Sequence, residues 1–134
     1  MILIDTSVWV KALRRQPSPE RIAVQALIDQ DVAATTDLVI AEVLQGASSE
    51  EDFQKLAARM EGMHYFHATG EMWVKAATLS FQLKRRGLIT PLADLVIATV
   101  ARENELEVYA TDDHFERVPG LGLYQPSGHE QEQA

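Results

Sequence analysis

The chain opens on an unbroken apolar run, Ile2-Leu3-Ile4, that stops at Asp5. A run without polar alternation predicts a strand covered on both faces, as in a parallel sheet. The residues through Trp9 to Leu13 predict a first helix. Ser18-Pro19-Glu20 then reads as a helix start, with a Ser N-cap and Pro at the first helical position. Ile22, Ala23, Ala26 and Leu27 recur on one face of that helix, which ends near Gln30. Val32-Ala33-Ala34 predicts a second strand, after which Thr35 or Thr36 caps a mostly apolar helix running from Asp37 to a stop at Gly46. Ser48 followed three residues later by Glu51 has the form of a capping box, opening a helix that turns Phe53, Leu56, Ala57 and Met60 inward and closes at Gly62. Met63 to Ala68 predicts a third strand. Thr69 caps a long helix with Met72, Ala76, Leu79 and Leu83 in helical spacing, ending at Lys84-Arg85-Arg86-Gly87, cations before a glycine. Thr90-Pro91 repeats the cap-then-proline signal for a helix through Leu95, Val96 and Val100 to about Asn104. Val108-Tyr109-Ala110 predicts a fourth strand, and Leu121 to Tyr124 a last one.

Strands separated by helices favour right-handed crossovers, hence an α/β fold with a parallel sheet covered by helices on both faces. In such folds ligands sit beyond the carboxyl ends of the strands, where the strand order reverses. At 134 residues the chain makes one domain, expected over 1–125, with a polar tail over 126–134. Hydrophobic residues at 46% and charged residues at 24% are ordinary globular usage. The absence of cysteine excludes disulfides, thiolate metal sites and a catalytic thiol, and fits a reducing cytoplasm. The N-terminus lacks a basic region before its short apolar run, and no stretch reaches 18 apolar residues, so neither export nor a membrane is expected. The net charge of 12 − 20 = −8 repels phosphate backbones, which argues against a general basic nucleic-acid binder.

The informative charges are four acids. Asp5 ends the first strand and Asp112 follows the fourth, so both fall at the ligand-binding edge. Glu42, in Leu38-Val39-Ile40-Ala41-Glu42-Val43-Leu44, and Asp94, in Leu92-Ala93-Asp94-Leu95-Val96-Ile97, are single charges on helices expected to be largely buried. Each has a purely structural explanation: Asp94 lies in a first helical turn, where the dipole favours it, and Glu42 could mark a narrow wet stripe. Together they are harder to explain that way, because a buried carboxylate costs several kcal/mol unless it is paired, neutralised or bound to a metal. A shared cation answers all four. Oxygen donors without thiolates suit Mg²⁺ or Mn²⁺, and such ions support phosphodiester chemistry.

Ile4-Asp5-Thr6-Ser7, Ile40-Ala41-Glu42-Val43, Arg86-Gly87-Leu88 leading to Asp94-Leu95-Val96-Ile97-Ala98, and Asp112-Asp113-His114-Phe115 before Val118-Pro119-Gly120-Leu121 follow one another in an order that resembles the PIN-domain ribonucleases, and within them the VapC toxins of prokaryotic toxin–antitoxin pairs. The resemblance covers nearly all of residues 1–124. It implies an α/β/α sandwich whose pocket of Asp5, Glu42, Asp94 and Asp112 binds one or two Mg²⁺ or Mn²⁺ ions and cleaves RNA endonucleolytically. Asp5 and Asp94 match the most direct ligands, Glu42 completes the donor set or positions a water, and Thr6 or Ser7 holds the pocket by hydrogen bonds. A homodimer and a cognate VapB-type antitoxin whose C-terminal segment covers the site are also implied. The family commonly shows Thr, any residue, then Asp or Asn; in Ala110-Thr111-Asp112-Asp113, counting back from His114-Phe115 selects Asp112 and counting forward from Thr111 selects Asp113. Asp112 is the preferred fourth acid, with Asp113 retained beside it.

Two basic clusters, Lys11 with Arg14 and Arg15, and Lys84-Arg85-Arg86, are candidate RNA contacts, although the second is also what a helix C-terminus favours. His64 and His67, three apart in a strand, point to opposite faces, which disfavours a metal role; His114 reads as a loop or packing residue. Trp9, Met63, Tyr65 and Trp73 read as core or interface residues. No nucleophile elbow, P-loop or dinucleotide fingerprint occurs. Two other classes stay in view: a receiver-like phosphoacceptor domain, also doubly wound around Asp residues and Mg²⁺, and a non-catalytic binding module.

Overall fold

Ile2-Leu3-Ile4 forms the central strand β1 (Ile2–Ile4), with all three side chains buried, in a computed structural model that describes residues 1–127. β1 pairs in parallel with β2 (Ala33–Thr36) on one side and β4 (Glu107–Tyr109) on the other, and β2 pairs in parallel with β3 (His64–Phe66). The strand order is β3-β2-β1-β4. Among the described residues, six helices flank this sheet: α1 (Thr6–Ala12), α2 (Pro19–Asp29), α3 (Asp37–Gln45), α4 (Glu50–Glu61), α5 (Gly70–Arg85) and α6 (Leu92–Glu103). Consecutive residues of β1 and β2 are buried, which requires cover on both faces and explains their unalternating sequences. The chain folds as the α/β/α sandwich with a central parallel sheet expected of it. The order reverses between β1 and β4, so the crevice for a ligand lies beyond Ile4 and Tyr109. A receiver-like domain would show the order 2-1-3-4-5; this sheet does not have it.

The caps explain where helices start and stop. Ser18 and Thr69 accept the N–H of Arg21 and Met72, as their spacing predicts. α5 ends in a Schellman motif: Gly87 takes φ +78°, its N–H reaches Lys84 O, and the Leu88 N–H reaches Leu83 O. The same closure recurs after α2 and α6, with Asp31 (φ 57°) and Glu105 (φ 56°) in the position usually given to glycine.

Several local expectations shift. The capping box before α4 sits one residue later: Ser49 accepts the Asp52 N–H, and Asp52 returns to the Ser48 N–H and hydroxyl. Thr36 occupies the N-cap of α3 without a side-chain bond. Pro91, not Thr90, is the N-cap of α6, because the Thr90 hydroxyl accepts from Arg117 instead. β2 runs to Thr36, β3 covers only His64–Phe66 and β4 starts at Glu107, so each is displaced or shortened. The last strand expected over Leu121–Tyr124 is reduced to a bridge between Leu123 and Val108, and a 3₁₀ turn (His114–Arg117) stands where no element was expected. Trp9 and Met63 lie in the core, whereas Tyr65 and Trp73 are exposed. Of the expected tail, residues 128–134 lie outside the described residues. No helix among the described residues is long and apolar enough to cross a membrane.

Candidate active site

Asp5 sits where β1 turns into α1, and it is the N-cap of that helix. It is buried to 2% exposure, yet only one of its oxygens is satisfied. Oδ2 accepts the Ser7 N–H at 3.0 Å and the Ser7 hydroxyl at 2.6 Å, while Oδ1 is buried without a hydrogen-bond partner. Burial is the main force on this group and pushes its pKa up to about 6; the Ser7 bonds oppose the rise, and the negative charges of Asp94 and Asp112 add to it. The Ser7 hydroxyl also accepts the Thr111 N–H at 3.1 Å, tying the end of β1 to the loop after β4.

That loop brings Asp112 to the same edge. Its Oδ1 accepts the His114 N–H at 3.1 Å, closing a tight turn into the 3₁₀ helix, which Phe115 anchors in the core at 2% exposure. Asp113 is exposed and occupies the N-cap position of that turn without a side-chain bond. Asp94 enters from the first turn of α6, and its Oδ2 lies 2.6 Å from His114 Nδ1. Burial raises the Asp94 pKa; the His114 bond opposes the rise and the Asp112 charge assists it. Among the described residues, Asp94, Asp112 and His114 form a group of potential metal donors whose atoms all lie within 4.8 Å of one another.

Glu42 stands further along this edge. Its Oε1 accepts the Thr6 hydroxyl at 3.2 Å, and Thr6 adjoins Asp5. α3 is less buried than its sequence led one to expect: Val39 and Val43 are in the core, Ala41 is exposed and Glu42 is half-buried. α6 is the buried one, with Leu95 through Ala101 all inside. Four acids from four segments thus share one construction. Each has one oxygen held by a neighbouring donor (Ser7, Thr6, the His114 ring or the His114 N–H), and the other has no protein donor among the described residues. None pairs with a lysine or arginine there; the His114 ring lies 2.6 Å from Asp94 and 3.5 Å from Asp112. Reading His114 as a loop or packing residue missed this, since no spacing rule links position 114 to position 94; the adjoining Asp112-Asp113 was the available signal. His64 and His67 stand apart, bonded to Asp31 and Asp37.

The chemistry of the donors fits a hard divalent cation. Three carboxylates within mutual electrostatic reach are costly, and the buried Asp5 Oδ1 has no hydrogen-bond partner among the described residues. The basic clusters separate by position. Lys11 borders a hollow that includes Thr111, Asp112 and Asp113, and Arg14 borders one that includes Trp9 and Glu42. Arg15 and Lys84-Arg85-Arg86 are exposed, and none of them borders either hollow.

A family described as "PIN domain" matches residues 2–121. Over 122 residues the chain is 28% identical to ribonuclease VapC18 of Mycobacterium tuberculosis, covering 88% of this chain and 87% of that protein. Over 126 residues it is 26% identical to ribonuclease VapC2 of Rickettsia felis, covering 90% and 94%. Its fold is similar to that of the Rickettsia felis VapBC2 complex bound to a promoter DNA fragment, with a TM-score of 0.76, 22% identity, and coverage of 92% of this chain and 98% of that one.

Proposed function

The chain belongs to the PIN-domain family, and on that footing we propose that it is an endoribonuclease toxin of the VapC type, acting in the cytoplasm on RNA with Mg²⁺ or Mn²⁺. The observation that carries this reading is the convergence of Asp5, Asp94 and Asp112 at the β1/β4 switch point, with Asp5 Oδ1 buried and unpartnered.

In this reading Asp5, Asp94 and Asp112 hold the cation, one ion or two. A bound divalent cation lowers the pKa of water and neutralises charge building up on the scissile phosphate. The protein's own part is preorganisation. Ser7 holds Asp5 so that its free oxygen is presented at low cost in rearrangement, and through Thr111 it fixes the distance between the two strand ends. Thr6 holds Glu42, which joins the donor set or orients the attacking water. Lys11 and Arg14, at the rims of the hollows beside Asp112 and Glu42, offset the charge of −8 where the RNA backbone must approach. Asp113, exposed, is the weaker candidate for the fourth acid. A homodimer and a VapB-type antitoxin that covers the site complete the proposal; the similar Rickettsia felis structure is itself a VapBC complex.

Digestion of a panel of structured RNAs tests the reading. Cleavage with Mg²⁺ that stops with EDTA and in Asp5→Ala supports it. Cleavage that survives both shows that the acidic pocket is not the reacting centre. Tight metal binding with no cleavage of any RNA favours the non-catalytic binding module.

A further inference from the structure

His114 reaches two of the four acids by separate routes. Its backbone N–H donates to Asp112 Oδ1 at 3.1 Å, and its ring Nδ1 lies 2.6 Å from Asp94 Oδ2 and 3.5 Å from Asp112 Oδ1. An ionised carboxylate can only accept, so Nδ1 carries the hydrogen and the bond to Asp94 is a short, charge-assisted one. A nitrogen that carries this hydrogen is not itself a metal ligand.

Asp94 depends on that bond more than the other acids depend on theirs. Asp5 is gripped by two donors from Ser7, and Asp112 is held by a main-chain N–H that no side-chain substitution removes. Asp94 has one protein donor among the described residues, the His114 ring; the N-cap of α6 is Pro91, which has no backbone N–H to offer a first-turn carboxylate. The ring in turn is placed by its own backbone, by the Asp112 turn and by Phe115 beside it in the core.

We propose that His114 is a positioning residue of the cation site: its Nδ1–H occupies Asp94 Oδ2, so that the other oxygen is held toward the cation shared with Asp5 and Asp112. This rests on reading the pocket as a cation site. Partners of this kind behind a metal-binding carboxylate are worth about 10- to 100-fold in metal affinity.

The experiment is calorimetric titration of Mg²⁺ and of Mn²⁺ into metal-free full-length protein, for the wild type, His114→Ala, His114→Asn and His114→Gln. The side-chain amide of Asn reaches the position of Nδ1, and that of Gln reaches the position of Nε2. Expected are a loss of about 10- to 100-fold for both ions in His114→Ala and His114→Gln, and retention within about threefold in His114→Asn. Equal binding by His114→Ala and wild type overturns the inference, as does a loss in His114→Asn as large as in His114→Ala. A loss confined to Mn²⁺ also overturns it, because that marks a direct nitrogen ligand. Should His114→Ala fail to fold by circular dichroism, the contrast between Asn and Gln decides the matter alone. A wild type that binds neither ion defeats the cation reading itself, and this inference with it.

Discussion

Asp5→Asn separates what the buried acid does for function from what it costs the fold. The Asp5 pKa stands at about 6 against an ordinary 3.8, mainly because burial penalises its charge. The folded protein therefore binds more protons than the unfolded chain between these values. Stability of the metal-free protein falls as pH rises through that window and stays reduced above it. The difference in proton affinity converts to about 3 kcal/mol, of which about 2–3 kcal/mol develops between pH 4 and pH 8. Asparagine has no charge to bury and keeps an oxygen for the Ser7 donors, but its amide hydrogens lack an acceptor, which takes back about 1 kcal/mol or more. The variant should accordingly be about 1–2 kcal/mol more stable than wild type at pH 8 in EDTA, and no more stable at pH 4. Urea denaturation across that range in EDTA measures it. A stability difference that does not change with pH, or a variant that loses ground as pH rises, refutes the argument. The same variant should lose RNA cleavage and the stabilisation that Mn²⁺ gives the wild type.

Other outcomes follow from other parts of the molecule. Glu105→Gly should stabilise the protein by about 0.5–1 kcal/mol in urea melts, because Glu105 is exposed at φ 56°, a conformation only glycine adopts freely. Phe115→Ala should cost about 3–5 kcal/mol by the same measurement, since Phe115 fastens the 3₁₀ turn at 2% exposure. Lys11→Ala and Arg14→Ala should weaken RNA binding and each lower the slope of log affinity against log salt by about 1, whereas Lys84→Ala, at a residue that lines neither hollow, should leave that slope unchanged.

The alternation of apolar runs and capped helices made the α/β fold legible, because β1 and β2 are covered on both faces and their sequences show it directly. Helix ends were legible wherever one residue carries the whole signal, as Ser18, Thr69 and Gly87 do. They were misread where a hydroxyl found a better partner elsewhere: Thr90 is taken by Arg117, a residue 27 positions away. The end of the chain misled for a similar reason. Leu121–Tyr124 has strand-like composition but gains only one bridge, and the 3₁₀ turn is fixed by the Asp112 carboxylate rather than by any periodicity. At the site, the acids announced themselves by their apolar surroundings and strand-end positions. Of the donors that hold them, Thr6 and Ser7 were named through the family resemblance alone, whereas His114 looks like an ordinary loop residue until the fold sets its ring 2.6 Å from Asp94. The half-burial of α3 was likewise invisible, because its sequence is as apolar as that of a buried helix.

The proposed site requires carboxylates distant along the chain to hold one cation jointly. A crystal structure of the protein with Mn²⁺, with the ion located by its anomalous scattering, shows whether they do. A manganese peak bonded to Asp5 Oδ1 together with Asp94 and Asp112, with Ser7 still on Asp5 Oδ2, is expected. A peak elsewhere, or these three acids turned outward or neutralised by lysine or arginine, would overturn the proposed site.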